Sequence, residues 1–298
     1  MKEVGGKVKH AFPSCTVISI KQFRRGCVNK TYSVDIINPK KELVLRFYPT
    51  EFWKAEKEEY VYNLIRKKTS VPVPKIYHID ASRKYSPYAF SILKKIPGRK
   101  LTTGNKMLIS KSGEYLAQIN SINFSKFGWI VGKKINPGFT KWVNFCDYDF
   151  DNKIKNLQRY KRLGLKILSS IKEYYQKNRH LLDIKVKPCL VHKDFHLSHI
   201  LTSNNKITGI IDVEWAISGH NELDITKSLY WMFENRIDLE EVFLDGYLKF
   251  KRISKDFQLR RELYELLICL SSVLFSCRVQ DDKWYVHNVK KLKGILRK

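Results

Sequence analysis

The chemistry of this sequence is concentrated in one loop and in the strand that returns beside it. In Val191-His192-Lys193-Asp194-Phe195-His196-Leu197-Ser198-His199-Ile200-Leu201, a His-x-Asp loop is followed, five residues after its Asp, by His199, a side chain able to ligate a metal. After a polar turn comes Gly209-Ile210-Ile211-Asp212-Val213-Glu214-Trp215, an apolar run that delivers a second carboxylate. Phosphoryl transfer needs little more than this. It takes one carboxylate near the acceptor hydroxyl and metal ligands that clamp the triphosphate oxygens, because its catalysis is mostly positioning and charge neutralisation. Asp194 suits the first task, as base, and Asp212 the second, as metal ligand.

The surrounding elements must bring these groups together. Pro188-Cys189-Leu190-Val191 reads as a short apolar strand that stops at His192, so Asp194 stands on a loop at a strand end. Residues 202–206 form a turn, and 206–211, β-branched and apolar, form the return strand that sets Asp212 beside the same loop. A lone Asp at a strand end is most often a turn former or a helix cap. The ordered set of His, Asp, ligand position, hairpin and second Asp outweighs that reading. His192 is expected to be a packed residue that orients the loop, and His196 to be exposed or bonded within it.

These residues resemble the aminoglycoside phosphotransferase family, the small-molecule branch of the protein-kinase-like fold that also holds choline, homoserine, fructosamine and macrolide kinases. The family pattern runs His-x-Asp, four residues, Asn, Ile-Leu, then Ile-Asp-Trp/Phe-Glu and Asp-Pro-x-x-Asp-Leu. The chain departs from it at His199, which stands where Asn is usual, as in the branches that include 2''-aminoglycoside and macrolide kinases. His199 is therefore read either as a second metal ligand, direct or through water, with a preference shifted toward Mn²⁺, or as a packing residue. Residues 216–225 resemble the closing segment, with Asn221 where Pro is commoner. By that resemblance Asp224 accepts backbone hydrogen bonds from the catalytic loop; an ordinary helix N-terminal carboxylate is the alternative. Only eleven residues separate Asp212 from Asp224. That leaves no room for the activation segment of regulated protein kinases, so the acceptor is expected to be a small molecule.

The resemblance implies an α+β, bilobal chain: a small β-rich nucleotide-binding lobe over 1–95 and a larger, mainly helical lobe over 96–298, with a hinge near 93–98. It implies Mg²⁺-dependent transfer of the γ-phosphate of ATP, or of GTP, to a hydroxyl. In the first lobe, residues 16–20, 31–37 and 42–47 read as three strands of an antiparallel meander. The turn at 24–30, with Gly26, would sit over the phosphates, where basic residues and free N–H groups suit a triphosphate, or is a plain hairpin turn. Arg46 ends the third strand, where kinases of this fold keep a phosphate-holding Lys; its planar fork can take phosphate oxygens in pairs. Residues 51–65 read as an amphipathic helix, one of whose acids should pair with Arg46: Glu58 is favoured, with Glu59 close behind. Residues 88–93 form the fifth strand. By resemblance the Lys94 carbonyl and the Ile96 N–H contact the nucleobase, with Leu93 and Ile96 lining its slot.

Beyond the hinge, residues 101 onward read as mostly helical, with a Lys-rich helix or helix pair over 153–179 and a helix over 111–122 that resembles the family's segment just before a turn at Phe127-Gly128. The acids Asp147, Asp149 and Asp151 either receive a cationic acceptor beside Asp194 or form a solvated loop. At 298 residues and 43% hydrophobic, the chain has room for one such two-lobed unit. Its six cysteines are scattered without a close pair, which argues against zinc and disulfides and for a reducing cytoplasm. The N-terminus lacks an apolar signal core, and 263–277 is too short to span a bilayer. A net charge of +27 and a basic run over 290–298 raise a second class of function, a non-catalytic kinase-like protein that binds nucleotide or nucleic acid. The lysines are spread along the whole chain without an RNA-binding signature, and the intact Asp194 and Asp212 favour the enzyme.

Overall fold

A computed structural model describes residues 2–23, 29–84, 86–234 and 236–297. Helix α1 (Lys2–Ala11) precedes β1 (Thr16–Gln22), β2 (Lys30–Ile37) and β3 (Lys41–Tyr48); α2 (Trp53–Lys68), β4 (Ile76–Asp80) and β5 (Ala89–Lys94) follow. The five strands form one antiparallel sheet in the order β1-β2-β3-β5-β4. Alternation decides its two faces. In β3, Leu43, Leu45 and Phe47 point to one side, where they pack with Val34 and Ile36 against Val4 and Val8 of α1. Val44 and Arg46 point to the other. Helix α1 has no counterpart in the sequence reading: two valines four residues apart on a ten-residue basic segment become an apolar stripe only once the sheet is there to receive them.

The rest of the chain is larger and mainly helical. It contains β6 (Arg99–Lys100), α3 (Lys106–Ile119), β7 (Phe127–Val131), β8 (Lys134–Phe139), α4 (Trp142–Tyr160), α5 (Leu165–Asn178), β9 (Cys189–Val191), β10 (Ile200–Ser203), β11 (Lys206–Ile210) and β12 (Ile217–Gly219). It closes with α6 (Asn221–Met232), α7 (Ile237–Leu248), α8 (Phe257–Val279) and α9 (Asp282–Ile295). Two small sheets, β11-β10-β6 and β8-β7-β12-β9, hold the loops between them. One continuous apolar cluster joins both halves: Val61, Tyr62 and Ile65 of α2 and Leu93 of β5 pack with Leu190, Phe195, Ile210 and Val213. No helix among the described residues is long and apolar enough to cross a membrane. Cys15, Cys146, Cys189, Cys269 and Cys277 are free and buried.

Three expectations shift. The helix expected over 111–122 starts earlier, capped by the Asn105 side chain, and ends at Ile119. Phe127-Gly128 is the start of a strand, because Trp129, Ile130 and Val131 continue as a β-rich run that pairs with β8 and β12. Asp147, Asp149 and Asp151 lie within α4 and not on a loop.

The closest helix contact bears on the site. A Cβ at Gly246 of α7 would collide with the Ser110 carbonyl of α3, and one at Gly113 of α3 with the Phe243 carbonyl of α7. This contact carries Asn120, at the end of α3, to the Tyr247 hydroxyl, which donates to Asn120 Oδ1 at 2.9 Å. Gly246→Ala should therefore cost about 3 kcal/mol of stability, the upper range for overpacking, because backbone must move. Gly294→Ala, which meets nothing within 4 Å in α9, should be neutral or stabilising. Urea unfolding midpoints that fall equally for the two variants would refute the close-contact account.

Candidate active site

The loop after β9 is held by backbone capture. The Asp224 carboxylate on α6 accepts the N–H of His192 at 2.7 Å and of Lys193 at 2.9 Å. Asn120 Nδ2 donates to Asp224 at 3.0 Å and to the Leu190 carbonyl at 2.9 Å, tying the strand, the loop and α3 together. The loop needs such anchoring, since Lys193 sits in the left-handed region at φ 62°. His192 is buried, and burial brings its pKa down to about 3, so it stays neutral; its Nδ1 accepts the Asp194 N–H at 3.3 Å. It is a packed residue that orients the loop.

Asp194 projects from this loop into a ring of cationic and imidazole groups. Lys227 Nζ lies 3.0 Å from Asp194 Oδ1 and also bonds the Lys193 carbonyl. His199 Nδ1 is 2.9 Å from the Asp194 carbonyl oxygen and 3.3 Å from its Oδ2, and His196 Nε2 is 3.7 Å from Oδ2. Burial pushes the Asp194 carboxyl up, yet Lys227, His196 and His199 together hold it well below the usual carboxylate range. Lys227 carried no signal when the acids were read alone. It stands one helical turn after Asp224, and that spacing could have placed it on the same face.

Hairpin β10–β11 returns the chain to Asp212, whose φ of 67° is left-handed and whose N–H is taken by the Tyr62 hydroxyl at 2.9 Å. Asp212 Oδ2 lies 3.6 Å from His199 Nε2. With Nδ1 donating to the Asp194 carbonyl, the His199 lone pair is on Nε2, facing Asp212. Asp212 also receives both terminal nitrogens of Arg46 at 3.3 Å, and Arg46 pairs in turn with Glu58 of α2. Glu58 is fully buried and accepts the Tyr48 hydroxyl at 2.8 Å, while Glu59 instead faces Lys133 at 3.5 Å. Against the upward push of burial, Arg46 keeps Asp212 below its ordinary pKa.

The donor set around Asp212 suits a hard divalent cation. One ligand atom from each of Glu58, Asp212 and Glu214 lies within 4.8 Å of the others, as do Asp194, His196 and His199. Glu214 also accepts Asn29 Nδ2 at 2.7 Å, which ties the residue before β2 to the segment after Asp212. Gly26 itself lies outside the described residues. After β5, where a hinge is expected, Leu93 is buried in the shared core, Lys94 is exposed with its N–H on the Lys75 carbonyl, and Ile96 lies against Gly209 of the Asp212-bearing hairpin.

Beside Asp194 opens a cavity of about 530 Å³, lined by Trp129, Trp142, Trp215, Trp231 and Trp284. Of the three acids of α4, Asp147 is taken by Arg179 and the Tyr175 hydroxyl, and Asp151 is exposed. Asp149 reaches the cavity wall and is paired with Lys153. The cluster therefore does not act together as a cation receiver.

Comparison with known proteins agrees with this arrangement. The chain is similar in structure to aminoglycoside phosphotransferase APH(4)-Ia, with a TM-score of 0.76 and 19% identity over 99% of this chain and 98% of that one. A thermostable mutant of that protein, in ternary complex with AMP-PNP and hygromycin B, gives 0.76 and 20% over 100% and 98%. The gentamicin complex of APH(2'')-IIa gives 0.70 and 16% over 98% and 95%. At these identities the likeness is one of fold, the bilobal protein-kinase-like one. No curated protein sequence matches the chain. The sequence profile of the phosphotransferase enzyme family does, over residues 19–266, a span that runs from β1 into α8 and takes in Arg46, Glu58, Asp194, His199 and Asp212; the chain belongs to that family.

Proposed function

We propose that the protein is a Mg²⁺-dependent phosphotransferase that moves the γ-phosphate of ATP or GTP to a hydroxyl of a small molecule. The observation that carries this reading is the convergence of Asp194 and Asp212 on opposite sides of one histidine, His199, with Arg46 and Glu58 directly behind Asp212. Residues 1–95 are taken as the nucleotide-binding lobe and 96–298 as the catalytic and acceptor-binding lobe. Leu93, the Lys94 carbonyl and Ile96 contact the base, and Arg46, oriented by Glu58, holds phosphate oxygens.

Asp212 and His199 would hold the metal, with Glu214 near by; when bound, the ion neutralises triphosphate charge and fixes its oxygens. Asp194 accepts the hydrogen bond of the acceptor hydroxyl and aligns its oxygen. Its depressed pKa makes it a weak base, which suits a loose transition state in which the proton leaves late. Lys227 keeps that carboxylate charged and in place.

The test is a screen of hydroxylated metabolites, aminoglycosides and macrolides for ATP or GTP consumption, with ester formation followed by phosphorus NMR. Triphosphate turnover that no acceptor stimulates would count against the reading. A variant refines it. His199→Asn should retain activity and lower the ratio of Mn²⁺- to Mg²⁺-supported rate about tenfold, because an amide oxygen replaces an imidazole nitrogen. An unchanged ratio would make His199 a packing residue.

A further inference from the structure

The cavity beside Asp194 has an unusual lining for its place in the molecule. Five of the six tryptophans of the chain meet there from β7, α4, the segment before β12, α6 and α9. Trp215, Phe275, Trp284 and Trp231 follow one another edge to face, with ring centroids 6.2, 5.4 and 5.6 Å apart. Such a wall holds flat or fused rings well.

The charges on the lining are unbalanced. Its carboxylates are Asp149 and Asp194, and each already carries a lysine, Lys153 and Lys227 respectively. Two further cations have no carboxylate within ion-pair distance among the described residues. Lys193 rests its Nζ 3.9 Å from the centre of the Trp129 ring, and Arg278 stands exposed on α8, one turn beyond Phe275. An amine-rich aminoglycoside would bring its ammonium groups to a wall whose two carboxylates are already paired, beside the exposed Arg278 and beside Lys193, whose pKa burial brings down to about 7 and whose charged form an anion would favour. Like charges at such range in a partly desolvated site repel. An anion would be attracted.

We propose, on the basis of the phosphotransferase reading above, that the acceptor is a largely apolar, ring-bearing alcohol that carries an anionic group, its rings held by the indole wall and its charge met by Lys193 and Arg278. Three compounds that differ only in charge test this on the full chain: 6-(hydroxymethyl)-2-naphthoate, its primary amide, and the aminomethyl analogue, with hygromycin B as the amine-rich comparison. Calorimetric affinities should fall in the order carboxylate, amide, ammonium, with about fivefold between the first two, the size of one modest charge pair. Arg278→Gln should shrink that fivefold preference toward unity and Arg278→Lys should keep most of it; the residue is exposed, so neither variant threatens the fold.

Tighter binding of the ammonium compound or of hygromycin B overturns the proposal. So does equal binding of carboxylate and amide, or no binding by any of the three at millimolar concentration. Phosphorus NMR with ATP separates this from the broader reading. Phosphorylated hygromycin B without carboxylate binding would keep phosphoryl transfer and discard this acceptor class. Binding in the expected order, with no ester formed from any acceptor tried, would overturn the phosphotransferase reading and with it the acceptor role, leaving only the charge preference of the cavity.

Discussion

Asp194→Asn is expected to lower phosphoryl transfer by roughly 10²-fold or more while nucleotide affinity stays within about twofold. Asn keeps the size of the side chain and can still accept a hydrogen bond from an acceptor hydroxyl through its carbonyl oxygen. It cannot take the proton, and it removes the negative charge that Lys227 faces at 3.0 Å. The loop itself should survive, because its backbone is held by Asp224 and Asn120 and not by Asp194. Single-turnover rates with an identified acceptor, together with calorimetric nucleotide binding, separate the two effects. Equal turnover in variant and parent would remove Asp194 from the chemistry. A loss of nucleotide affinity matching the loss of rate would instead indicate damage to the fold.

Much of this arrangement was legible because its signals are local. The strands of the first sheet alternate with period two, so Leu43, Leu45 and Phe47 turn to the core and Arg46 to the site without reference to anything distant. The Asp194 loop and the hairpin after it are contiguous from Cys189 to Ile210, and the turn between β10 and β11 is polar and tight. The pairing of Arg46 with Glu58, against Glu59, was not decidable from spacing: adjacent helix residues differ by about 100° in direction, and only the packing of α2 says which one faces the sheet. Burial settles it, with Glu58 inside and Glu59 reaching out to Lys133.

What stayed hidden depends on meetings between distant segments. The five cavity tryptophans span positions 129 to 284, and no pattern in the sequence announces that they face one another. Acidic spacing at 147, 149 and 151 suggested a shared function. On a helix Asp149 turns about 200° away from Asp147 and Asp151, and each acid finds its own environment: Asp147 with Arg179, Asp149 with Lys153, Asp151 in solvent. Helix α1 and the β7–β8 hairpin were missed because their apolar content is modest and their stability comes from the surfaces they cover.

The largest loss is expected at Asp212, the carboxylate that Arg46 holds and that the proposed metal would share. Here Arg46 takes it with both terminal nitrogens at 3.3 Å; a bound divalent ion would compete for the same oxygens. Asp212→Asn is the informative change, because Asn tolerates the left-handed backbone at φ 67° better than Ala does, so the variant reports charge and not strain. Its backbone N–H keeps the Tyr62 hydroxyl as partner, and Arg46 keeps Glu58. Turnover should fall on the order of 10³-fold, the equivalent of several kcal/mol of lost metal-assisted charge stabilisation. The part of nucleotide affinity that depends on Mg²⁺ should disappear, while the part measured in chelator remains. Calorimetric titrations of ATP with Mg²⁺ and with chelator read both parts from one sample. If the Mg²⁺-dependent part persists unchanged in the variant, Asp212 is a partner of Arg46 alone, and the ion must be sought at Asp194, His196 and His199, where the structure gathers the other set of donors.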